Sequence, residues 1–349
     1  MSITARENWL RTVEYRYPEW IPCYVGLAPI LFKLYRQDLE RVICEHPRIF
    51  PGYQANQRDY DWMPPAYHLD ERYRDNWGCV WHNIQEGIEG QVVEHPLADW
   101  SALAPWHPPD PHHYFERNKA DWGEIKAELR EQRLLGKLVS GNAERLFDRL
   151  YALRGFDNLM LDFALEPPEL CRLINILTQH ELALIDLWLE AGVYVISFHT
   201  DIGTQRSLMI SPASFRKYIK PMFTTLFQRC RQAGVHVNLS SDGRLLEIVD
   251  DLVECGVSIH DPQLRANGLE GIKQAYCGRL CINLDLDRQG FPFMSPAQMR
   301  DQVREVVDTL ALPEGGLMVL AQFYGNDIPL ANIAACLEAM EDFCFTKRN

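Results

Sequence analysis

The stretch Val193-Tyr194-Val195-Ile196-Ser197-Phe198-His199-Thr200-Asp201 sets the pattern for the chain. An apolar run, which is typical of a buried strand, ends in polar residues, and a long helical pattern follows. The same order returns at Val235–Asp242 and again at Val257–Asp261. Repeated strand, polar tip and helix predict the βα units of a parallel sheet. In such sheets ligands bind at the carboxyl ends of the strands, where these polar tips fall.

Similar units extend in both directions from this stretch. About eight strands can be counted between Ile21–Gly26 and Leu317–Gln322, with helices between most of them. We therefore predict an α/β fold, a single (β/α)8 TIM-type barrel domain over residues 1–349. Residues 47–115 form an irregular, aromatic-rich excursion within it, with a hairpin predicted around Trp77–Trp81 and Gly90–Val93. Long excursions on a barrel usually carry substrate or subunit contacts.

The composition narrows the class of protein. With 349 residues, 47% of them hydrophobic and 24% charged, the chain can bury a large core. The formal net charge of −13 argues against nucleic-acid binding, which needs a basic surface. No apolar run approaches the ~18 residues of a membrane span, and the first residues lack a signal-peptide core. We expect a cytoplasmic protein whose ten scattered cysteines are free thiols.

Polar side chains converge at the predicted strand ends. Side chains alternate along a strand, so His236, Asn238 and Ser240 share one face, as do Ser197 and His199. Converging carboxyl, imidazole and phenol groups can hold and move protons, because neighbours shift their pKa values apart. The candidates for acid–base catalysis are Asp201, Asp242, His199, Tyr324 and His236. The candidates for substrate contacts are Trp77, Trp81, Gln205, Asn238, Ser240, Asp261, Asp285, Asp287 and Gln289. No metal ligand is assigned.

Each candidate also has a purely structural interpretation. His199 and His236 can be hydrogen-bonded core residues, and Asp242, which precedes Gly243, can cap a helix predicted over 243–255. The residues after Asp201 can form a structural turn that has no role in catalysis. One of the two aspartates at 285 and 287 can anchor Arg288, and the tryptophans of the excursion can be structural.

The order and spacing of several motifs resemble the uroporphyrinogen decarboxylase superfamily. The match covers most of residues 75–340, and no single motif decides it. The motifs are Asn76–Trp81, Leu153–Met160, Asp201–Gln205, Ile210–Pro212, Phe215–Tyr218, Lys220-Pro221, Ser241–Gly243, Asp250–Gly256, Asp261–Gln263, Asp287–Gln289, Pro292-Phe293, Ser295-Pro296, Asp327–Pro329 and Asn332-Ile333.

The resemblance implies a (β/α)8 barrel with its site at the carboxyl ends of the strands. The superfamily contains cofactor-independent decarboxylases of tetrapyrrole acetate groups. It also contains methyltransferases that exchange methyl groups with a corrinoid protein, and the motif at 287–296 resembles that branch. The resemblance further implies that two copies of the chain can pair as a homodimer.

The sequence departs from both the decarboxylase and the zinc-dependent methyltransferase branch, and these differences reduce the number of activities that we expect. The decarboxylase motif Arg-Gln-Ala-Gly-Arg has no counterpart after the first strand, where Gly26–Pro29 stands, and bidentate carboxylate recognition favours arginine. Tyr324 stands where the decarboxylase has a histidine. The zinc-dependent thiol methylases use His-x-Cys and a later Cys, but Ser240, Asp242 and Tyr324 occupy those positions. That set lacks thiolate and imidazole, so zinc is disfavoured. A shifted zinc site at His199, His236 and Asp242 stays open.

These departures favour a methyltransferase that moves a methyl group from a small O- or N-methyl substrate to a corrinoid protein. The corrinoid would come with that partner, and no cofactor would be bound tightly. An acid at the rim would assist the departing heteroatom. Trp77 and Trp81 could line an aryl pocket or cage a methylammonium. The alternatives are a cofactor-independent decarboxylase acting on another carboxylic acid, and a barrel that binds a ligand without turnover.

Overall fold

Seven parallel strands form the central sheet of a computed structural model, which describes residues 3–113 and 121–346. Their order around the sheet is β1-β10-β9-β8-β7-β6-β5. The seven strands are β1 (Cys23–Leu27), β5 (Ser140–Asn142), β6 (Val195–His199), β7 (His236–Ser240), β8 (Ile259–His260), β9 (Cys281–Asp285) and β10 (Leu317–Phe323). A second sheet of three antiparallel strands contains β2 (Arg72–Arg74), β3 (Val80–His82) and β4 (Gln91–Glu94).

Helices connect the parallel strands and cover the outside of the sheet. They are α1 (Ala5–Val13), α2 (Pro29–Glu45), α3 (Trp122–Leu134), α4 (Leu146–Arg154), α5 (Phe156–Leu165), α6 (Pro168–Ala191), α7 (Pro212–Ser214), α8 (Lys220–Gln232), α9 (Val249–Cys255), α10 (Leu264–Asn267), α11 (Leu269–Tyr276), α12 (Pro296–Leu310) and α13 (Leu330–Cys344). A π-helical turn over Phe215–Ile219 joins α7 to α8. Among the described residues, no helix is both long and apolar enough to cross a membrane.

The predicted α/β barrel class is confirmed, with a difference in strand count. The parallel sheet has seven strands within the described residues, and β1 and β5 form its two edges. The sequence between those strands contains the excursion, whose strands pair with one another instead of joining the barrel. The hairpin expected in the excursion is confirmed, because β3 pairs with β4 in antiparallel register.

The amino end of the barrel is closed by α1. Thr4 caps this helix by accepting a hydrogen bond from the Glu7 backbone N–H at 3.1 Å. Trp9 and Val13 on α1 pack against side chains that point into the barrel from β6, β8, β9 and β10. Those side chains are Val195, Ile259, Cys281 and Met318. This apolar layer identifies the inward-facing side of each strand, because side chains alternate.

Higher in the barrel the inward-facing side chains are polar. From the register of Val195, the next inward residues of β6 are Ser197 and His199. Likewise Cys281 is followed on its inward side by Asn283 and Asp285. The interiors of (β/α)8 barrels are usually filled by bulky branched residues. A polar upper interior therefore indicates a site that opens at the carboxyl ends of the strands.

Candidate active site

Two loops at the carboxyl ends of β6 and β7 are pressed together. Gly243 has a φ of +91°, and a Cβ atom there would lie 2.3 Å from the carbonyl carbon of Gly203. Only glycine allows this approach at low cost. The Asp242 backbone N–H donates to the Asp201 carboxylate at 2.9 Å. The Gly243 backbone N–H donates to Oε1 of Gln263 at 2.9 Å.

Five aspartates and two arginines form what we term the acidic bowl, at the carboxyl ends of the strands. A chain of contacts runs through most of them. Asp148 accepts a hydrogen bond from the Asp201 backbone N–H at 2.8 Å. Arg288 then joins Asp242 to Asp285, donating to the first carboxylate and lying 3.6 Å from the second. The members of the acidic bowl are Asp148, Asp201, Asp242, Asp261, Asp285, Arg145 and Arg288.

Burial and crowding change the acidity of the bowl. Burial, with the nearby charge of Asp201, raises the pKa of Asp148 to about 7. Burial also raises the pKa of Asp242 to about 6 and that of Asp285 to about 7, although Arg288 opposes both shifts. Carboxyl groups with such pKa values hold a proton for part of the time at neutral pH.

The histidine at the end of β6 belongs to the same site. Part of the His199 side chain is exposed at the mouth of the bowl. Burial of the imidazole by the surrounding protein nevertheless lowers its pKa. Asp261 and Asp201 partly oppose that shift. His199 is therefore positioned as a neutral imidazole that can accept or donate a hydrogen bond.

The structure brings most of the predicted acid–base residues together. Asp201, Asp242 and His199 belong to or border the bowl, and Tyr324 lies close enough to Arg288, Asp242 and Asp285 for their charges to influence its pKa. Burial raises the pKa of Tyr324, although half of the side chain remains exposed. Asp242 ion-pairs with Arg288, while α9 begins only at Val249, so the carboxylate is not that helix's cap.

His236 is separated from the bowl. It is the first residue of β7 and lies at the amino end of the barrel, packed edge-on against Trp9 with 5.9 Å between ring centroids. Its ring nitrogens contact Arg231 at 3.0 Å and Glu14 at 3.1 Å. His236 therefore does not reach the carboxyl rim with the other candidates. As the first residue of β7, it points into the barrel at the amino end of the strands. This separation also removes a zinc site that combines His236 with Asp242.

The predicted substrate contacts fall into three groups. Asn238 and Ser240 line the upper interior, where they hydrogen-bond to Ser197 at 3.1 Å and to Asp261 at 2.5 Å. The side-chain amide of Gln205 donates a hydrogen bond to Oε1 of Gln263 at 3.1 Å, and Gln289 lines a cavity next to the bowl, which is described below. The remaining members of the set divide between bowl, rim and core: Asp261 and Asp285 lie in the bowl, Asp287 and Trp81 at its rim, and Trp77 in the hydrophobic core.

Two of these placements differ from what a substrate contact requires. Trp77 is only 5% exposed and packs between His180 and Trp106, so it supports the core and does not line the bowl. Asp287 forms a bidentate ion pair with Arg265 at 2.7 and 2.8 Å. Its carboxylate is therefore already matched by a guanidinium group.

Two cavities flank the bowl. The first, of about 400 Å³, lies beside α4 and includes Trp81, Arg145 and Asp148 in its lining. The second, of about 580 Å³, is lined by Tyr324, Arg288 and the apolar side chains of Pro292 and Phe293. Glu89 from the excursion lines both cavities. The excursion therefore forms part of the wall of both cavities.

Several site residues escape sequence reasoning. Asp148, Arg145 and Tyr151 lie in or next to a helix whose letters resemble an ordinary amphipathic pattern. Their position in the chain is a signal that could have found them. Because α4 follows the short strand β5 almost at once, the first turn of α4 must lie at the carboxyl rim of the barrel.

Comparison with known proteins identifies the family. The sequence profile of the family described as "Uroporphyrinogen decarboxylase (URO-D)" matches residues 86–343, about three quarters of the chain. The chain belongs to the uroporphyrinogen decarboxylase family. The match begins within the excursion and includes every strand from β4 onward. No curated protein sequence gives a significant match.

Similarity to solved structures extends over nearly the whole chain in one case and is weak in two others. A methyltransferase from Methanosarcina mazei aligns with a TM-score of 0.63 at 15% identity, over 98% of this chain and 99% of that chain. A dihydropteroate synthase from Xanthomonas albilineans with 4-aminobenzoic acid aligns with a TM-score of 0.32 at 10% identity, over 52% and 60% of the two chains. A 2,3-dimethylmalate lyase aligns with a TM-score of 0.33 at 12% identity, over 97% and 86%.

Proposed function

We propose that this member of the family is a methyltransferase that moves a methyl group from a small methylated substrate to a corrinoid carried by a partner protein. The observation that carries the proposal is the acidic bowl. It places carboxyl groups with pKa values of about 6 and 7 at the mouth of the barrel. A methyl–oxygen or methyl–nitrogen bond breaks more easily when an acid protonates the departing heteroatom.

The charge of the bowl argues against a polycarboxylate substrate. Five aspartates face two arginines, and both arginines already pair with acids. Arg145 pairs with Glu89 at 2.9 Å, and Arg288 pairs with two members of the bowl. A substrate with several carboxylates would meet net repulsion here, because like charges at short range are costly in a partly buried site. A neutral substrate suits the bowl better. The alternative decarboxylase activity would need a small acid with one carboxylate.

The residues present do not fit a zinc ion. The three positions at which relatives place His-x-Cys and Cys ligands hold Ser240, Asp242 and Tyr324, which offer only oxygen donors. Ser240 donates to Asp261, and Asp242 pairs with Arg288. Within residues 3–113 and 121–346, no three His, Cys, Asp or Glu side chains lie together in a metal-binding arrangement. Zinc therefore takes no part in the proposed reaction.

In this proposal, the protein binds, orients and protonates. The methyl-bearing heteroatom lies within reach of the bowl, where Asp242, Asp285 or Asp148 supplies a proton. The methyl–heteroatom bond breaks with its electron pair left on the heteroatom, which takes that proton, while the methyl group passes to the corrinoid. Arg288 partly neutralises the charge of Asp242 and Asp285, with which it pairs. The acid then regains its proton from water.

The rim suits a docking protein. Beside the bowl, Phe293 is 85% exposed, and Ile88 and Tyr324 are also exposed. These side chains border the outer cavity of about 580 Å³. Exposed apolar groups at the edge of a polar site are typical of surfaces that another protein covers. We propose that the corrinoid protein docks here. Pairing of two copies as a homodimer would have to leave this face free.

The direct test is methyl transfer to cob(I)alamin from methoxyarenes and methylamines, followed by the change in corrinoid absorption. The proposal expects transfer from at least one substrate, unaffected by added zinc. At least one of Asp148→Asn, Asp242→Asn and Asp285→Asn should slow it by about 100-fold, since general acids contribute about that much, whereas the exposed Asp157→Asn should not. Carbon dioxide release from small acids without methyl transfer would establish the decarboxylase instead. Ligand binding without either reaction would establish a binding barrel.

A further inference from the structure

The smaller cavity beside the bowl has the character of a ring-binding site. Its volume of about 400 Å³ lies in the range of small-molecule sites and is ample for one aromatic ring. Three aromatic side chains, Trp81, Tyr151 and Phe156, form part of its lining. We name it the ring pocket. The full lining is Trp81, Glu89, Gly90, Gln91, Val92, His95, Arg145, Asp148, Arg149, Tyr151, Ala152 and Phe156.

A buried network holds the tryptophan wall in place. The Trp81 indole N–H donates to Oδ2 of Asp75 at 2.9 Å, and Arg149 binds the same oxygen at 2.9 Å. Arg149 is itself buried and also pairs with Glu144 at 2.6 Å. The Trp81 ring also stacks on Tyr73, with 6.1 Å between ring centroids and 4° between planes. A wall fixed on several sides loses little entropy when a flat ligand binds.

The opposite wall is also aromatic. Tyr151 contacts Phe156 edge-on at 6.0 Å between centroids, and it contacts Phe147 in the core at 6.1 Å. Phe156 is 45% exposed at the start of α5. A planar ligand between Trp81 and Phe156 would cover both.

One carboxyl group joins the ring pocket to the acidic bowl. Asp148 lines the pocket, accepts a hydrogen bond from the Asp201 backbone N–H, and interacts with the Tyr151 side chain. It therefore stands where a group attached to a bound ring would enter the bowl. The groups that face it are Asp201, Arg145 and Tyr151.

We propose that the ring pocket binds the aromatic ring of a single-ring methyl ether, and that Asp148 is the acid that protonates its departing oxygen. This inference rests on the proposed methyl transfer. The methyl–oxygen bond breaks, its electron pair stays on oxygen, and the methyl group passes to the corrinoid. The proton of Asp148 moves to that oxygen, which leaves a phenol and an Asp148 carboxylate that water reprotonates.

The same walls argue against a methylammonium substrate. The guanidinium carbon of Arg145 lies 5.9 Å from the centroid of the Trp81 ring, so a cation already occupies a cation–π position there. A methylammonium group would have to displace this guanidinium group from Trp81, whereas a neutral aromatic ring can stack against it.

Binding without corrinoid separates this inference from the proposed function. Calorimetry on the full chain should show that 2-methoxyphenol binds and that trimethylammonium does not. Phe156→Ala should weaken 2-methoxyphenol binding by about tenfold, since an aromatic contact of this kind is worth about a kilocalorie per mole. The exposed Leu165→Ala on the same helix is the matched control and should bind normally.

The role of Asp148 is tested by the leaving group. Asp148→Asn keeps an oxygen for the Asp201 N–H and should change binding by no more than about twofold. It should slow methyl transfer from 2-methoxyphenol by about 100-fold. Transfer from 4-nitroanisole should slow far less, because nitrophenolate leaves without a proton. Equal slowing for both ethers would overturn the assignment of Asp148, since a merely structural role affects them alike.

The remaining outcomes are decisive in different directions. Methyl transfer from methylamines but not from methoxyarenes would preserve the proposed function and overturn the ring pocket. Binding of 2-methoxyphenol that Phe156→Ala weakens, without methyl transfer from any substrate, would support the pocket as a ring site and overturn the proposed function. Binding that Phe156→Ala leaves unchanged would place the ligand elsewhere and overturn the inference.

Discussion

Asp148 carries a cost to the folded state that should be visible in stability. Burial and Asp201 raise its pKa to about 7 in the folded protein, while Arg145 and Tyr151 oppose the shift. An unfolded aspartate titrates near 3.9. Asp148 therefore keeps its proton to a higher pH in the folded state than in the unfolded state. This difference adds to the free energy of unfolding in full below about pH 4, and the added stability is lost as the pH rises through about 7.

Asp148→Asn should therefore stabilise the protein only at higher pH. Asparagine keeps the acceptor for the Asp201 N–H and cannot ionise. We expect the Tm of the variant to exceed that of the wild type by about 2 °C or more at pH 8, and the gap to close near pH 4.5. Thermal unfolding at the two pH values is the measurement. A gap that is the same at both would contradict the raised pKa.

Arg288 should act in the opposite sense. Burial raises the pKa values of Asp242 and Asp285, and the charge of Arg288 limits both shifts. Arg288→Gln leaves two partly buried carboxyls without their cation, so their pKa values rise further. A carboxyl whose pKa is raised by folding lowers the free energy of unfolding at pH values above that pKa. The variant should therefore lose more stability at pH 8 than at pH 5. Urea unfolding measures it, with Arg288→Lys as the charge-preserving control; an equal loss in both variants would point to geometry instead of charge.

At this scale the sequence identified residue types better than positions. Asp201, Asp242 and Asp285 follow apolar strands, so their place at the rim could be predicted. His236 follows the same alternation, but one strand boundary decides which end of the barrel it occupies. Asp148 could not be found by alternation, because it lies in the first turn of α4 and joins the bowl through its hydrogen bond from the Asp201 backbone N–H.

One buried acid on α2 binds residues 53–60 of the excursion. Glu40 is 2% exposed and accepts hydrogen bonds from the Tyr53 hydroxyl at 2.7 Å, the Tyr60 hydroxyl at 2.6 Å and the Asn56 backbone N–H at 2.9 Å. Three donors from an irregular segment thus end on one carboxylate. Charge-assisted hydrogen bonds of this kind are roughly twice as strong as neutral ones.

Glu40→Gln should loosen this segment without unfolding the barrel. The amide replaces one acceptor oxygen by a donor, so at least one of the three hydrogen bonds is lost at a cost of about 1–3 kcal/mol. We expect faster trypsin cleavage after Arg58, which packs on Phe32 at 3.8 Å from the ring centroid. Glu45→Gln, an exposed change on the same helix, is the control. Unchanged cleavage would mean that the segment is held by its aromatic packing alone.

Elements with strong periodicity were predictable, and short ones were not. The long helix after Asp201 and the hairpin of the excursion match the expectation from sequence. The count of seven parallel strands in the described residues, instead of eight, depends on pairing partners that no local pattern reveals.

Taken whole, the molecule has two unlike ends. The carboxyl end is acidic and partly open, with carboxyls whose charges are incompletely matched. The amino end is closed by the apolar layer under α1, where Trp9 and Val13 meet side chains from four strands. Stability and chemistry are thus separated along the barrel axis, which allows the upper interior to stay polar while the lower layer supplies hydrophobic burial.

This separation predicts that damage at the amino end lowers stability without changing the site. Trp9 is 6% exposed, and Trp9→Ala should cost about 3–5 kcal/mol, as large-to-small changes of buried tryptophan do. Trp62→Ala, in which the tryptophan is 56% exposed, should cost less than about 0.5 kcal/mol. Urea unfolding followed by circular dichroism and by fluorescence measures both.

The folded Trp9→Ala protein should bind ring ligands as the wild type does, because the ring pocket lies at the other end of the strands. A loss of less than about 1 kcal/mol would mean that α1 covers the barrel without sealing it. Weaker ligand binding by the folded variant would show instead that the apolar layer positions the polar residues above it. In that case the two ends would be coupled through Ser197, Asn238 and Asn283, the inward residues between them.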